Sequence, residues 1–163
     1  MRPMTARRAV PDGGEAPRGP VVESRCRILY RDVDRMGVVY YARYLELFEM
    51  GRTEWARAHG IRYRDVEDVH QRVMPVVEAR CRYLASLEFD EVALVRTWVA
   101  AWTGSTIRYG YQVLAEEAGR LCAVGEAELA CVRRDDLRPT RLPEPFLTVL
   151  AEVVPEARGR RRG

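Results

Sequence analysis

The chain of 163 residues contains no lysine; all 27 of its basic residues are arginine. That absence excludes a Schiff-base lysine, a Walker-type phosphate-binding lysine and a Ser–Lys dyad together. Histidine is nearly missing as well. His59 and His70 stand alone, outside any HExxH or HxH spacing. Cys26, Cys81, Cys122 and Cys131 form no CxxC pair, so neither a structural zinc site nor a disulfide framework is expected. All four cysteines fall in segments that read as strands, where buried free thiols are the expected state. No apolar run approaches the roughly 20 residues of a transmembrane helix. The arginine-containing start leads into Pro11, Asp12, Gly13 and Gly14, not into the apolar stretch of a signal peptide. A cytoplasmic protein without membrane insertion is expected.

What is present is an ordinary globular composition, 47% hydrophobic and 31% charged, at a length that suits one domain. The formal charge of +3 sits at the ends: residues 1–22 and 151–163 each carry a net +2, leaving −1 for the rest. A body of that charge calls for no nucleic-acid partner. The Gly, Pro and Arg content of the ends predicts a flexible N-terminal tail over residues 1–22 and a flexible basic tail over 154–163. The single folded domain is then residues 23–153.

Within that domain the apolar period changes with position. Residues 23–31 alternate as a first strand, with Cys26, Ile28 and Tyr30 on one face. From Val39 to His59 the period is helical: Tyr40, Tyr44, Leu47, Phe48, Gly51 and Trp55 share a face, and Gly60 supplies the stop. Gly51 in mid-helix costs up to ~1 kcal/mol relative to Ala, for which close helix–sheet contact is a sufficient reason. A short helix follows at Tyr63 to Val69. Segments Val73–Ser86, Val92–Trp102, Thr106–Glu116 and Leu121–Arg133 then read as strands, and Pro143–Val153 as a terminal helix. Short links at Leu87–Glu91, Thr103–Ser105 and Glu117–Arg120 predict hairpins between successive strands. One long apolar helix and about five antiparallel strands make an α+β domain in which a curved sheet wraps the helix, the hot-dog arrangement.

Chemistry concentrates between the first strand and the helix. Asp32 and Asp34 stand on a polar turn with Gly37, followed by Val38, Val39, Tyr40, Tyr41 and the first amides of the helix. Those amides lack internal acceptors and carry the positive end of the helix dipole, so they can bind a developing oxyanion. A neighbouring carboxylate can attack a carbonyl or activate water against it. By residue type alone, Asp-x-Asp is more often a simple Asx-type turn.

The segment Asp32-Val33-Asp34-Arg35-Met36-Gly37-Val38-Val39-Tyr40 resembles the Asp-x-Asp-x-x-Gly-Val-Val-Tyr pattern of YbgC-type acyl-CoA thioesterases, relatives of 4-hydroxybenzoyl-CoA thioesterase. The resemblance continues through Phe48-Glu49 and Arg52-Thr53-Glu54-Trp55, with a weaker echo at Cys131-Val132, Pro139 and Arg141-Leu142-Pro143. It implies hydrolysis of an acyl-CoA thioester without metal or cofactor, in a homodimer or homotetramer with the site between subunits. It implies Asp34 as nucleophile or general base, with the Tyr41 backbone amide as oxyanion donor and Gly37 and Val38 at the substrate. Asp32 is read as shaping the turn. Many members of the family have His at the position of Tyr41, whereas the 4-hydroxybenzoyl enzyme has Tyr. Arg43 replaces a small polar residue and is read as exposed. Glu49 lies on the helix face of Tyr41, about two turns on. The resemblance makes it a binder of a substrate hydroxyl or an alternative catalytic acid, while its residue type and spacing favour an ion pair with Arg52. Arg133, Arg134, Arg138 and Arg141 suit either the phosphates of coenzyme A or solvent, and Tyr83, Trp98, Trp102, Tyr109 and Tyr111 are read as core. The alternatives are a non-catalytic acyl-thioester binding protein and a hot-dog hydratase or dehydratase. The latter is disfavoured by the lack of His in the Asp34 turn.

Overall fold

In the computed structural model, which describes residues 16–155 and Arg158, the chain runs β1 (Val22–Arg27), α1 (Arg43–Ala58), α2 (Tyr63–Asp68), β2 (Arg72–Val73), β3 (Val76–Tyr83), β4 (Val92–Trp102), β5 (Thr106–Ala115), β6 (Arg120–Ala130), β7 (Val132–Arg133) and α3 (Glu144–Val153). Five strands form one sheet in the order β1-β4-β5-β6-β3, every pair antiparallel. The two-residue strands β2 and β7 make a separate small pair. This is the α+β hot-dog architecture, with α1 as the long helix against the sheet.

The face of α1 that meets the sheet is the predicted one. Tyr44, Leu47, Phe48, Gly51 and Trp55 are buried. Phe48 stacks on Tyr111 of β5 with ring centroids 4.3 Å apart, and Trp55 meets Tyr109 edge-on at 5.9 Å. Full burial of a side chain such as Phe48 contributes about 2–3 kcal/mol. Gly51 answers its own cost. A Cβ there would collide with the Thr97 hydroxyl of β4, so the missing side chain is what lets helix and sheet approach. Gly60 ends the helix as expected, with its amide on the Arg57 carbonyl and the Ile61 amide on that of Ala56, the Schellman pattern.

Several elements differ from expectation, each for a local reason. The first strand ends at Arg27; the Ile28 amide still bonds the Glu91 carbonyl (2.9 Å), but Tyr30–Asp32 then wind into a 3-10 turn. Tyr30 is therefore exposed and not part of the strand's buried face. The helix begins at Arg43, not Val39. The amides of Val39 and Tyr40 are already bonded to the carbonyls of Leu87 (2.7 Å) and Asp32 (2.9 Å), which keeps that stretch out of the helix and leaves Tyr40 exposed. The predicted strand Val73–Ser86 breaks at Met74 and Pro75, since proline has no amide to extend a ladder. Cys131 lies between β6 and β7, and Cys26 and Cys81 are only half-buried; burial pushes the Cys131 thiol up to about 11.

The largest departure is topological. The link from β3 to β4 is not a hairpin: β3 pairs with β6, and β4 with β1 and β5. Residues 84–91 carry the chain from one edge of the sheet to the other side. Contacts also extend past the expected domain limits of residues 23 and 153. The Trp55 indole donates to the Pro20 carbonyl (3.2 Å), the Trp102 indole to the Val154 carbonyl (3.0 Å), and Val154 is buried. The remaining parts of the expected tails, residues 1–15, 156–157 and 159–163, lie outside the described residues.

Candidate active site

Residues 28–43 form one continuously bonded unit between β1 and α1. Asp34-Arg35-Met36-Gly37 is a β-turn closed by the Gly37 amide on the Asp34 carbonyl (3.0 Å), and the Asp34 amide bonds the Val38 carbonyl (2.9 Å). Asp at the first position and Gly at the last are the residues such a turn prefers. Gly37 sits at φ +76°, the left-handed region that glycine enters without cost. Val33 and Val39 bridge across the turn, and Val38 bridges to Glu88 of the β3–β4 link.

The two aspartates differ sharply. Asp32 is buried, with its carboxylate accepting from the Leu29 amide (2.8 Å) and from Arg43 Nε (2.8 Å). It shapes the turn, as read from the sequence. Arg43 is the correction. Its side chain is only 18% exposed and is held between Asp32 and Glu46, so it ties the start of the helix to the turn. Asp34 is half-buried; its Oδ1 accepts from the Met36 amide (2.7 Å), an Asx turn. Its second oxygen has no partner among the described residues.

Asp34, Gly37, Val38 and Tyr41 thus fall in one loop at the start of α1. The amides of Tyr41 and Ala42 have no acceptor among the described residues. The peptide joining them is fixed from outside: Tyr83 at the end of β3 donates its hydroxyl to the Tyr41 carbonyl at 2.8 Å. Tyr83 was expected in the core but is 47% exposed, and burial of its hydroxyl end pushes its ionisation up to about 12, so it remains a donor near neutrality. Nothing in the sequence distinguishes it from the other strand tyrosines. Trp98, Trp102, Tyr109 and Tyr111 are buried, as read.

Glu49 stands apart, exposed on α1 beside a groove whose walls include Arg52 and Val76 of β3. The expected ion pair with Arg52 does not form among the described residues. Of the terminal arginines, Arg133 and Arg138 pair with Asp136, and Arg134 with Asp68.

The profile of the thioesterase-like superfamily matches residues 28–150. The chain belongs to that superfamily. The match spans the turn, α1 and the whole sheet except β1. Among individual relatives of this thioesterase-like protein, the putative acyl-CoA thioesterase YneP of Bacillus subtilis is 31% identical over 126 residues, 77% of this chain and 90% of YneP. The DHNA-CoA thioesterase of Staphylococcus aureus superposes with a TM-score of 0.71 at 30% identity, covering 80% of this chain and 90% of that one. The Synechocystis 1,4-dihydroxy-2-naphthoyl-CoA thioesterase shares the fold with a TM-score of 0.75 at 18% identity, over 82% of this chain and 97% of its own.

Proposed function

We propose that this protein hydrolyses an acyl-CoA thioester to the free acid and coenzyme A, with Asp34 as the attacking or water-activating carboxylate. The observation that carries the reading is the pairing of a carboxylate oxygen without a partner and helix-start amides without acceptors in one bonded loop. Attack of carboxylate or water on the carbonyl carbon places negative charge on the carbonyl oxygen. The Tyr41 amide is the donor for that oxyanion. Collapse of the tetrahedral species breaks the carbon–sulfur bond, and the departing thiolate takes up the proton that the hydrolytic water gives up, by way of Asp34 where the carboxylate acts as base. If Asp34 itself attacks, a second water cleaves the resulting anhydride and restores the carboxylate. In this reading the reaction draws on no metal or redox cofactor, and it takes place in the cytoplasm with its substrate. The names of YneP and the S. aureus enzyme support the substrate class.

A thiol-release assay over a panel of acyl-CoAs tests this directly. Release of one thiol per acid formed is the expected result; binding of acyl-CoA without release would leave only an acyl-thioester binding protein.

Two further expectations belong to the same reading. Tyr83→Phe removes the hydrogen bond that fixes the peptide between Tyr41 and Ala42 but keeps the ring against Tyr44, 5.1 Å away. Loss of one neutral hydrogen bond predicts a fall in kcat of about threefold to tenfold, with KM nearly unchanged, read by steady-state kinetics. The second concerns assembly. β3 pairs on one side only, is exposed along almost its whole length, and presents Val76, Val77 and Tyr83 near the exposed Tyr41 and Leu45. An open apolar edge of this kind is a pairing site, and a second copy is the occupant that closes it as a homodimer, or within a homotetramer. Sedimentation at micromolar concentration should therefore give a mass of at least two chains; a species of 18.7 kDa with full activity contradicts this.

A further inference from the structure

β3 pairs with β6 on one side and with no strand on the other among the described residues. One bond shows which of its backbone groups are left over. The Leu84 amide donates to the Cys122 carbonyl (2.8 Å), while Tyr83 lies opposite Ala123. In the alternation of an antiparallel ladder, Arg80 and Arg82 therefore turn their amides and carbonyls to β6, and Ala79, Cys81 and Tyr83 turn theirs to the open side. The side chains of Ala79 and Tyr83 point toward α1, at Phe48 and Tyr44. Those of Glu78, Arg80 and Arg82 alternate onto the outer face. There Arg80 lies 2.9 Å from Glu78 and 3.5 Å from Glu126. The Glu78 and Arg80 side chains are 54% and 66% exposed, and pairs so open to water hold little. Both charges are available to a neighbouring strand.

A second copy related by a two-fold axis meets this edge antiparallel, and few registers complete the ladder by setting Ala79, Cys81 and Tyr83 against one another. With Cys81 on the axis, Arg80 of each copy faces Arg82 of the other. With Arg80 on the axis, Glu78 gains Arg82, but the two Arg80 side chains face each other. Moving the axis further in either direction sets Arg82 against Arg82 or Glu78 against Glu78. With Ala79 on the axis, Glu78 of each copy faces Arg80 of the other and no like charges stand opposite. Opposite charges across a strand pair stabilise it and like charges oppose it, so charge selects this last register.

We propose that two copies join β3 to β3 with Ala79 on the two-fold axis and a Glu78–Arg80 ion pair on either side of it, and that the start of β3 in each copy closes over Tyr83 of the other. This rests on the assembly proposed above, and on the thioesterase reading only for its consequence at the site. Tyr83 stands four residues from the axis, about 13 Å, so it meets the Met74–Val76 stretch of the second copy and not its own counterpart. Pro75 there has no amide to leave unpaired, and its carbonyl already accepts from Ala130 (3.1 Å). The exposed Val76 and Val77 gain an apolar neighbour in the Tyr83 ring. Because Tyr83 fixes the Tyr41 carbonyl, the second copy helps to hold the helix-start amides in place.

Charge reversal tests the register on the full chain, without substrate. Glu78→Arg and Arg80→Glu should each weaken dimerisation by about tenfold to a hundredfold in sedimentation, since each sets two like pairs across the axis. In an equimolar mixture every cross-strand pair of the mixed dimer is opposite in sign. Native mass spectrometry should then show the mixed dimer well above the statistical half, and the doubly reversed chain should dimerise like the wild type. Undiminished dimers of Arg80→Glu, or a mixed dimer at the statistical half, overturn the proposal. Should a single variant not fold, Glu78→Gln and Arg80→Gln replace it; each should weaken the dimer severalfold, and an unchanged dissociation constant refutes the pairing. Thiol release per chain should fall in the single variants where they are monomeric and return in the mixture. Release that ignores assembly overturns the closure over Tyr83. No release from the wild-type chain would reject the hydrolase reading and leave sedimentation to judge the register by itself.

Discussion

Asp34→Asn is expected to fold normally, to bind acyl-CoA, and to release thiol at least about a hundredfold more slowly than the parent chain. The amide is the size of the carboxylate, and its oxygen can still accept from the Met36 amide, so the Asx turn survives. What disappears is the charge on the second oxygen, which is the group available to attack or to take a proton from water. Single-turnover kinetics on the purified variant reads the chemical step separately from binding. Glu49→Gln is the informative comparison. Glu49 lies in the groove and not in the loop, so its replacement should alter preference among substrates while leaving the best kcat within a few fold. A reversal, with Asp34→Asn near normal and Glu49→Gln inactive, would move the catalytic acid to the helix.

Arg43→Met is expected to cost about 3 kcal/mol of stability, since it leaves the buried Asp32 carboxylate with only the exposed Arg31, 3.8 Å away, as a cation. The value sits at the low end for a broken buried pair because the arginine retains some access to solvent. For a chain of this size the corresponding drop in Tm is roughly 6–12 °C, measurable by thermal unfolding. Asp32→Asn should cost less, because an amide oxygen still accepts from Leu29. The double variant should be more stable than the sum of the single losses allows, as expected of two groups in contact. Additive losses would show that the pair holds nothing together.

Much of this was readable beforehand, and the reasons are physical. The buried face of α1 followed from spacing, because a helix repeats its contacts every three to four residues. Gly51 announced a close approach through its cost in a helix interior. The turn at Asp34 could be read from Asp and Gly at the positions a tight turn favours, although the same residues left its chemistry open. The neighbours of β3 were hidden, since a short link between two strands looks the same whether they pair or are carried to different places in the sheet. Arg43 was misread for a related reason. Its partner lies eleven residues earlier on a different element, and no periodic pattern connects the two. Tyr83 was concealed among residues of its own kind; only its bond to the Tyr41 carbonyl sets it apart.

The β3–β4 link has a bearing on how the protein can vary. Within it Leu87, Glu88, Asp90 and Glu91 bond in turn to Val39, Val38 and Ile28, and the Glu91 carboxylate also takes the Arg120 guanidinium. Most surface loops lengthen and shorten freely during divergence, but one extra residue here would move the Asp34 turn out of register with the helix start. Divergence in length should accumulate at the β5–β6 hairpin tip, where Glu117, Ala118 and Gly119 are exposed. Change within the 87–91 link should be limited to substitutions that keep its backbone bonds.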